Sequence, residues 1–103
     1  MKKHFCILLA LILCTQITKA QDDATVLFIG NSYTYYNDMP EILSDIATSL
    51  GNNINNVSQT TGGATFSGHV GNTATFNAIN SQTWDYVVLQ GQSQEPVSYT
   101  HLR

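Results

Sequence analysis

The pattern of hydrophobic positions begins, after residue 20, with a continuous apolar run at residues 25–29, which Gly30 closes. A second run of the same kind occupies residues 84–89 and is soon followed by Gly91. Uninterrupted runs rich in β-branched and aromatic residues are typical of strands that are buried on both faces of a parallel sheet. The pattern therefore predicts two such strands.

Residues 39–50 carry the clearest helical pattern. Asp38 and Glu41 stand in capping-box spacing at its start, and Gly51 follows as a stop. The pattern predicts an amphipathic helix that is capped by Asp38 and ends at Gly51. Its apolar residues recur with the period that places them on one helical face, and they are Met39, Ile42, Leu43, Ile46, Ala47 and Leu50.

Weaker patterns predict a short strand around residues 54–59 and a weak helix within the polar stretch 67–82. The resulting order β-α-β-(α)-β predicts a three-layer α/β/α sandwich with a parallel sheet. Ligands of such sheets bind outside the carboxyl ends of the strands. A functional site is therefore expected in the loops at residues 30–37, 60–68 and 90–96.

The first twenty residues have the layout of a secretory signal peptide. Lys2 and Lys3 are basic, residues 5–14 are almost wholly apolar, and Thr18 and Ala20 are small residues at −3 and −1 of a cleavage site. The apolar run of about ten residues is too short to span a bilayer core of about 30 Å. We expect cleavage after Ala20, a secreted or periplasmic location in a bacterium and no stable membrane association afterwards. An uncleaved anchor is the alternative.

Composition excludes cysteine-based sites and one class of partner. Both cysteines, Cys6 and Cys14, lie in the predicted signal peptide, so the mature chain has neither a disulfide nor a cysteine metal site. Residues 21–96 contain no Lys or Arg but seven Asp and Glu. A nucleic-acid partner needs clustered basic side chains and is therefore excluded for this segment. No metal and no cofactor are expected.

Residues 97–103 (VSYTHLR) resemble one reading frame of the mosaic-end adapter used in transposon-based sequencing libraries. We therefore expect residues 21–96 to be the N-terminal part of a longer domain, and His101 is not taken as a catalytic candidate. A natural tail is the alternative.

Ser32 is the first candidate for chemistry. It stands directly after a predicted strand and before a helix, so its hydroxyl is expected at the rim of the sheet. The backbone N–H groups of such a turn can bind a developing oxyanion. Asn and Ser are also ordinary turn residues. The pair Gly62 and Gly63 in the second loop and the amide-rich third loop add further hydrogen-bond donors.

With these three loops the sequence resembles the SGNH hydrolases, also called GDSL esterases or lipases. Residues 26–34 (VLFIGNSYT) are similar to the first block of that family, with Asn31 where many members carry Asp. Residues 63–65 are similar to the second block and residues 87–94 to the third, in which Ser93 and Gln94 occupy the usual Asn-Asp positions.

The resemblance implies a flavodoxin-like SGNH hydrolase fold in which Ser32 is the catalytic nucleophile. It also implies an oxyanion hole formed by the N–H groups of Ser32 and Gly63, with a side chain of Gln92 or Ser93 as the third donor. The catalytic Asp and His of the family belong to a later block that this chain lacks.

Asn31 and His69 are candidates for substrate contact. For His69 a structural role is the other interpretation that we favour, and a role as catalytic base is the alternative.

The predicted function is hydrolysis of extracellular esters, such as carbohydrate O-acetyl groups, by a serine esterase whose residues in this chain are insufficient for turnover. One alternative is a flavodoxin-like binding module in which the tyrosines of the first loop stack on a flavin. Another is a non-catalytic carbohydrate-binding module in which the same tyrosines stack on sugars. They are Tyr33, Tyr35 and Tyr36.

Overall fold

The computed structural model describes residues 20–95. The predicted signal peptide, apart from Ala20, and the predicted tail at residues 97–103 lie outside the described residues.

Three parallel strands form one sheet in the order β2-β1-β3. They are β1 (Asp23–Gly30), β2 (Asn53–Thr60) and β3 (Tyr86–Leu89). The central strand β1 supplies most of the hydrophobic core, since its residues 26–29 are at most 4% exposed. The predicted α/β class with a parallel sheet is confirmed. The strand predicted at residues 25–29 is present and is buried at 26–29, whereas Thr25 is half-buried.

The helices of the described part are short, apart from one. They are α1 (Ser32–Tyr35), α2 (Met39–Ser49), α3 (Phe66–Val70) and α4 (Thr73–Asn80), with a 3-10 turn at Tyr36–Asp38. Among residues 20–95 no helix is long and apolar enough to cross a membrane. Where the sequence predicted one weak helix within residues 67–82, the structure has two helices, α3 and α4. Asn72 starts the second one, because its side chain accepts a hydrogen bond from the N–H of Ala74 at 2.8 Å.

The start of α2 differs from the predicted capping box. Asp38 stands at the N-cap position, but its backbone is left-handed (φ 54°, ψ 39°) and its side chain makes no capping hydrogen bond. Asn37 before it also has a positive φ, of 61°. The chain therefore enters α2 from a left-handed turn, which Asn and Asp tolerate better than most residues. At the other end, Gly51 has a φ of 81° and terminates the helix as predicted.

The prediction that residues 84–89 form a strand buried on both faces is wrong in extent and in burial. The strand begins at Tyr86, and its four residues are 37–65% exposed. The reason is its position at the edge of the sheet, where no other strand of residues 20–95 pairs with its outer side. The apolar face of α2 is also largely exposed, with Ala47 as its buried member.

Candidate functional site

The loops that follow the three strands meet at one edge of the sheet. The strands are in register there, with Gly30 opposite Thr60 and Ile29 opposite Leu89. Direct hydrogen bonds join the first loop to the other two, because Asn31 donates through Nδ2 to the carbonyl of Ala64 at 3.0 Å and through its backbone N–H to Oε1 of Gln90 at 3.0 Å. The candidate residues of these loops therefore belong to one region.

Asn31 has a structural role in this arrangement. Its Oδ1 accepts the N–H of Tyr33 at 3.0 Å and so caps α1, while its Nδ2 holds the second loop. The residue is only 1% exposed. Contact between Asn31 and a substrate stays a prediction, which these contacts do not favour.

Ser32 is the first residue of α1 and is half-buried. Within residues 20–95 its hydroxyl makes no hydrogen bond. N–H groups of the first helical turn lack a partner inside the helix and can serve an external acceptor. Ser32 thus presents an uncommitted hydroxyl and a backbone donor at the carboxyl end of the central strand.

Gly63 lies in a tight turn of the second loop. The N–H of Ala64 donates to the carbonyl of Thr61 at 3.1 Å, which closes a four-residue β-turn around the glycine pair. Gly63 has a φ of 69°, and a Cβ added to it would meet no atom within 4 Å. Glycine is therefore favoured there by backbone conformation and not by lack of space. Its N–H makes no hydrogen bond to another described residue.

Gln92 and Ser93 lie in a turn that Glu95 holds in place. The carboxylate of Glu95 accepts the N–H of Gln92 at 2.6 Å and that of Phe66 at 2.7 Å. Oε1 of Gln92 accepts the N–H of Gln94 at 2.5 Å. The amide nitrogen of the Gln92 side chain is its hydrogen-bond donor. Ser93 is exposed. The assignment of either side chain to the oxyanion hole stays a prediction.

His69 is buried and hydrogen-bonded at both ring nitrogens. Nε2 lies 2.7 Å from the carbonyl oxygen of Gly30, and Nδ1 lies 2.8 Å from Oγ1 of Thr75. A carbonyl oxygen can only accept, so Nε2 carries a proton and donates it, and Nδ1 is occupied by the hydroxyl of Thr75. Neither nitrogen is left to take a proton from Ser32. The geometry favours the structural role over that of a base.

Gln90 and Glu95 are important residues that the sequence did not single out. Oε1 of Gln90 accepts both the N–H of Asn31 and the hydroxyl of Thr34, at 3.0 and 2.9 Å. Two features of the sequence could have pointed to them: Gln90 directly follows a predicted strand, and Glu95 is the only carboxylate of its loop.

Two glycines give these contacts the space they need. A Cβ on Gly30 would lie 2.7 Å from Oε1 of Gln90, and one on Gly91 would lie 2.9 Å from the ring of Phe66. Both distances are shorter than van der Waals contact, so a larger residue at either position would displace the Gln90 or Phe66 side chain.

An apolar groove of about 280 Å³ lies beside the site, between the sheet and the helices α3 and α4. Ile29 and Leu89 line it from the strands, and Phe66 and Phe76 line it from the helices. His69 also lines the groove. Within residues 20–95, no three His, Asp or Glu residues are grouped so that they could hold a metal ion.

Comparison of the chain with models of known protein families, with curated proteins and with solved structures gives no match. The resemblance to the SGNH hydrolases therefore rests on the short motifs of the three loops, and the function has to be argued from the geometry around Ser32.

Proposed function

We propose that the protein is an exported serine esterase of the SGNH hydrolase type, with Ser32 as its nucleophile. One observation carries the proposal. Contacts from both neighbouring loops fix the turn that holds Ser32, while the hydroxyl of Ser32 makes no hydrogen bond within residues 20–95. A side chain whose only role was to stabilise the turn would be expected to use its hydroxyl in a local hydrogen bond.

The layering of the chain supports the corresponding fold. Asn56 donates to the carbonyl of Pro40 and to Oγ of Ser44, so its side of the sheet faces α2. Ile29 lines the groove under α3 and α4. It is paired with Gln59, so the side chains of Ile29 and Gln59 lie on the same face of the sheet. Residues 56 and 59 are an odd number of positions apart on one strand and point to opposite faces. We therefore propose a three-layer α/β/α sandwich of the flavodoxin-like SGNH type.

The strand order supports the position of the site. The chain places β2 on one side of β1 and then places β3 on the other side, so the strand order switches between β1 and β3. Ligands of doubly wound sheets bind at such a switch point, outside the carboxyl ends of the strands. Ser32 follows β1, and Gln90 follows β3.

In the proposed reaction the oxygen of Ser32 attacks the acyl carbon of an ester. The tetrahedral intermediate collapses, the bond to the alcohol oxygen breaks, and water then hydrolyses the acyl-enzyme. The N–H groups of Ser32 and Gly63, together with a side chain of Gln92 or Ser93, bind the oxyanion. A histidine oriented by an aspartate, both outside the described residues, transfers the proton. Export favours extracellular substrates such as carbohydrate O-acetyl esters.

A fluorophosphonate probe, which phosphonylates activated serines, tests the nucleophile in the full-length protein. We expect peptide mass spectrometry to find the label on Ser32 and the S32A variant to lose it. The matched control is Ser58→Ala, since Ser58 is exposed on β2 and its hydroxyl makes no hydrogen bond within the described part. Labelling that persists in S32A would contradict the proposal.

A non-catalytic carbohydrate-binding module is the second candidate. The observation that favours it is the exposure of three aromatic side chains beside Ser32, namely Tyr33, Tyr35 and Tyr36 at 64%, 46% and 71%. Aromatic faces in such positions can stack on sugars. Binding of glycans without cleavage of p-nitrophenyl acetate would support this candidate, and bound flavin absorbance would support the flavodoxin-like module.

A further inference from the structure

The peptide unit between Gly30 and Asn31 is hydrogen-bonded at both of its polar atoms by side chains of the other two loops. Its carbonyl accepts from Nε2 of His69 at 2.7 Å and also, at 3.4 Å, from the N–H of Thr61. Its N–H donates to Oε1 of Gln90 at 3.0 Å. A peptide unit is planar, so two such bonds define the orientation of the whole unit. The next residue along the chain is Ser32.

Both side chains are themselves held in place. His69 is 5% exposed and Thr75, its second partner, is 4% exposed. Oε1 of Gln90 also accepts the hydroxyl of Thr34, which is 1% exposed, and its Nε2 donates to the carbonyl of Gly91. Neither side chain can turn away without breaking a second hydrogen bond.

Gly30 explains why the peptide needs such support. A Cβ at Gly30 would lie 2.7 Å from Oε1 of Gln90, so the Gln90 side chain would have to leave its present position. Glycine is also the residue whose backbone rotates most freely. Without the two side-chain bonds, only the longer bond from the N–H of Thr61 would hold the Gly30 carbonyl. Rotation at Gly30 would then tilt the following peptide and displace Ser32. Displacement of a reacting group by about 1 Å can cost about 100-fold in rate.

We propose that His69 and Gln90 form a peptide clamp, defined as the two hydrogen bonds to the Gly30–Asn31 peptide, and that they are positioning residues for Ser32. The role at Ser32 rests on the proposed esterase function. The clamp itself is a structural property that can be measured without turnover.

The first experiment is NMR spectroscopy of the full-length wild-type protein at neutral pH. Long-range ¹H–¹⁵N correlation spectra of the His69 ring should show the tautomer protonated at Nε2. The amide hydrogen of Asn31 should exchange slowly with solvent, because Gln90 binds it in a part-buried position. A ring protonated at Nδ1 alone, or rapid exchange of the Asn31 amide, would overturn the proposal.

The second experiment compares three variants in the full-length protein. H69Q keeps an N–H donor for the carbonyl of Gly30 and H69L removes it, whereas Q90L removes the acceptor of the Asn31 N–H. We expect both leucine variants to label Ser32 about 10- to 100-fold more slowly with fluorophosphonate and to exchange the Asn31 amide faster. H69Q should recover most of the losses seen in H69L.

The matched control is Q82L, since Gln82 is exposed and makes no hydrogen bond within residues 20–95. It should label and exchange as the wild type does. Leucine variants with wild-type labelling and exchange would overturn the clamp. If they fail to fold, H69Q and the wild-type spectra decide the question. If wild-type Ser32 is not labelled at all, the esterase function fails, and the tautomer and the Asn31 exchange still decide whether the clamp exists.

Discussion

At the scale of single residues, side-chain oxygens of the three loops hold backbone N–H groups. Asn31 binds the N–H of Tyr33, Gln90 binds that of Asn31, and Glu95 binds those of Phe66 and Gln92. Backbone groups without such partners would have to be satisfied by water, and the loops would lose their fixed positions. The hydroxyl of Ser32 makes no hydrogen bond within residues 20–95 and so stays available for the proposed role.

Glu95 gives a testable case, because its single carboxylate joins the third loop to the start of α3. E95A removes the acceptor of two part-buried N–H groups, those of Phe66 and Gln92. We expect the free energy of unfolding to fall by about 1–3 kcal/mol, measured by urea denaturation. Asp45→Ala is the matched control, because Asp45 is exposed and its carboxylate has no hydrogen-bond partner in the described part. Equal stability of E95A and D45A would contradict the assigned role.

The sequence identifies some of these residues and not others for a physical reason. Ser32 and Gly63 are recognisable because a serine after a strand and a glycine in a turn are local signals. The partnership of Gln90 with Asn31 spans 59 residues and leaves no local signal. The same holds for His69 and Gly30, which are 39 residues apart. Such pairs become visible only when the sheet brings the loops together.

At the scale of elements, periodicity predicts β1 and α2 well, because each carries a long and regular apolar pattern. The short helices α3 and α4 merge into one prediction, because their few apolar residues do not show where the break at Asn72 falls. The prediction for the start of α2 is wrong in detail. Asp38 and Glu41 have capping-box spacing, but the backbone of Asp38 is left-handed and its side chain forms no capping bond.

The left-handed backbone of Asp38 leads to a prediction whose sign depends on the cap. Glycine adopts a φ of 54° without the penalty that a side chain carries, and no capping bond is lost. We therefore expect D38G to raise the free energy of unfolding by about 0.5 kcal/mol, since part of the gain is offset by the greater flexibility of the unfolded chain. Thermal unfolding with circular dichroism detection measures the change.

Asp45→Gly serves as the matched control for D38G. Asp45 lies inside α2 and is exposed, so glycine there should lower stability by about 0.5 kcal/mol. A functioning capping bond at Asp38 would instead make D38G destabilising, and that result would show that the helix starts as the sequence pattern suggests.

At the scale of the whole molecule, burial is the property that the sequence predicts least well. The apolar pattern of residues 84–89 is that of a strand covered on both faces, yet β3 is exposed in the described part. Hydrophobicity shows that a segment is suited to burial, whereas actual burial depends on what packs against it. The parallel sheet itself was predictable, because the alternation of strands and helices requires crossover connections.

Export is the last property to test, and it concerns the whole precursor. Cleavage after Ala20 would leave Gln21 at the N-terminus of the mature protein. The structure is compatible with that position, because residues 20–22 are exposed and β1 begins only at Asp23. The carbonyl of Asp22, which accepts the N–H of Asn53 at 2.9 Å, would be retained.

We expect intact-mass analysis of the exported protein to show a chain that starts at Gln21. A20Y should block processing, because the −1 position requires a small side chain, and the precursor should accumulate in the membrane fraction. Gln16→Tyr is the control, since it places the same ring in the segment but outside the −3 and −1 positions. A mature mass that retains residues 1–20 would contradict the signal peptide and would also remove the basis for an extracellular ester as substrate.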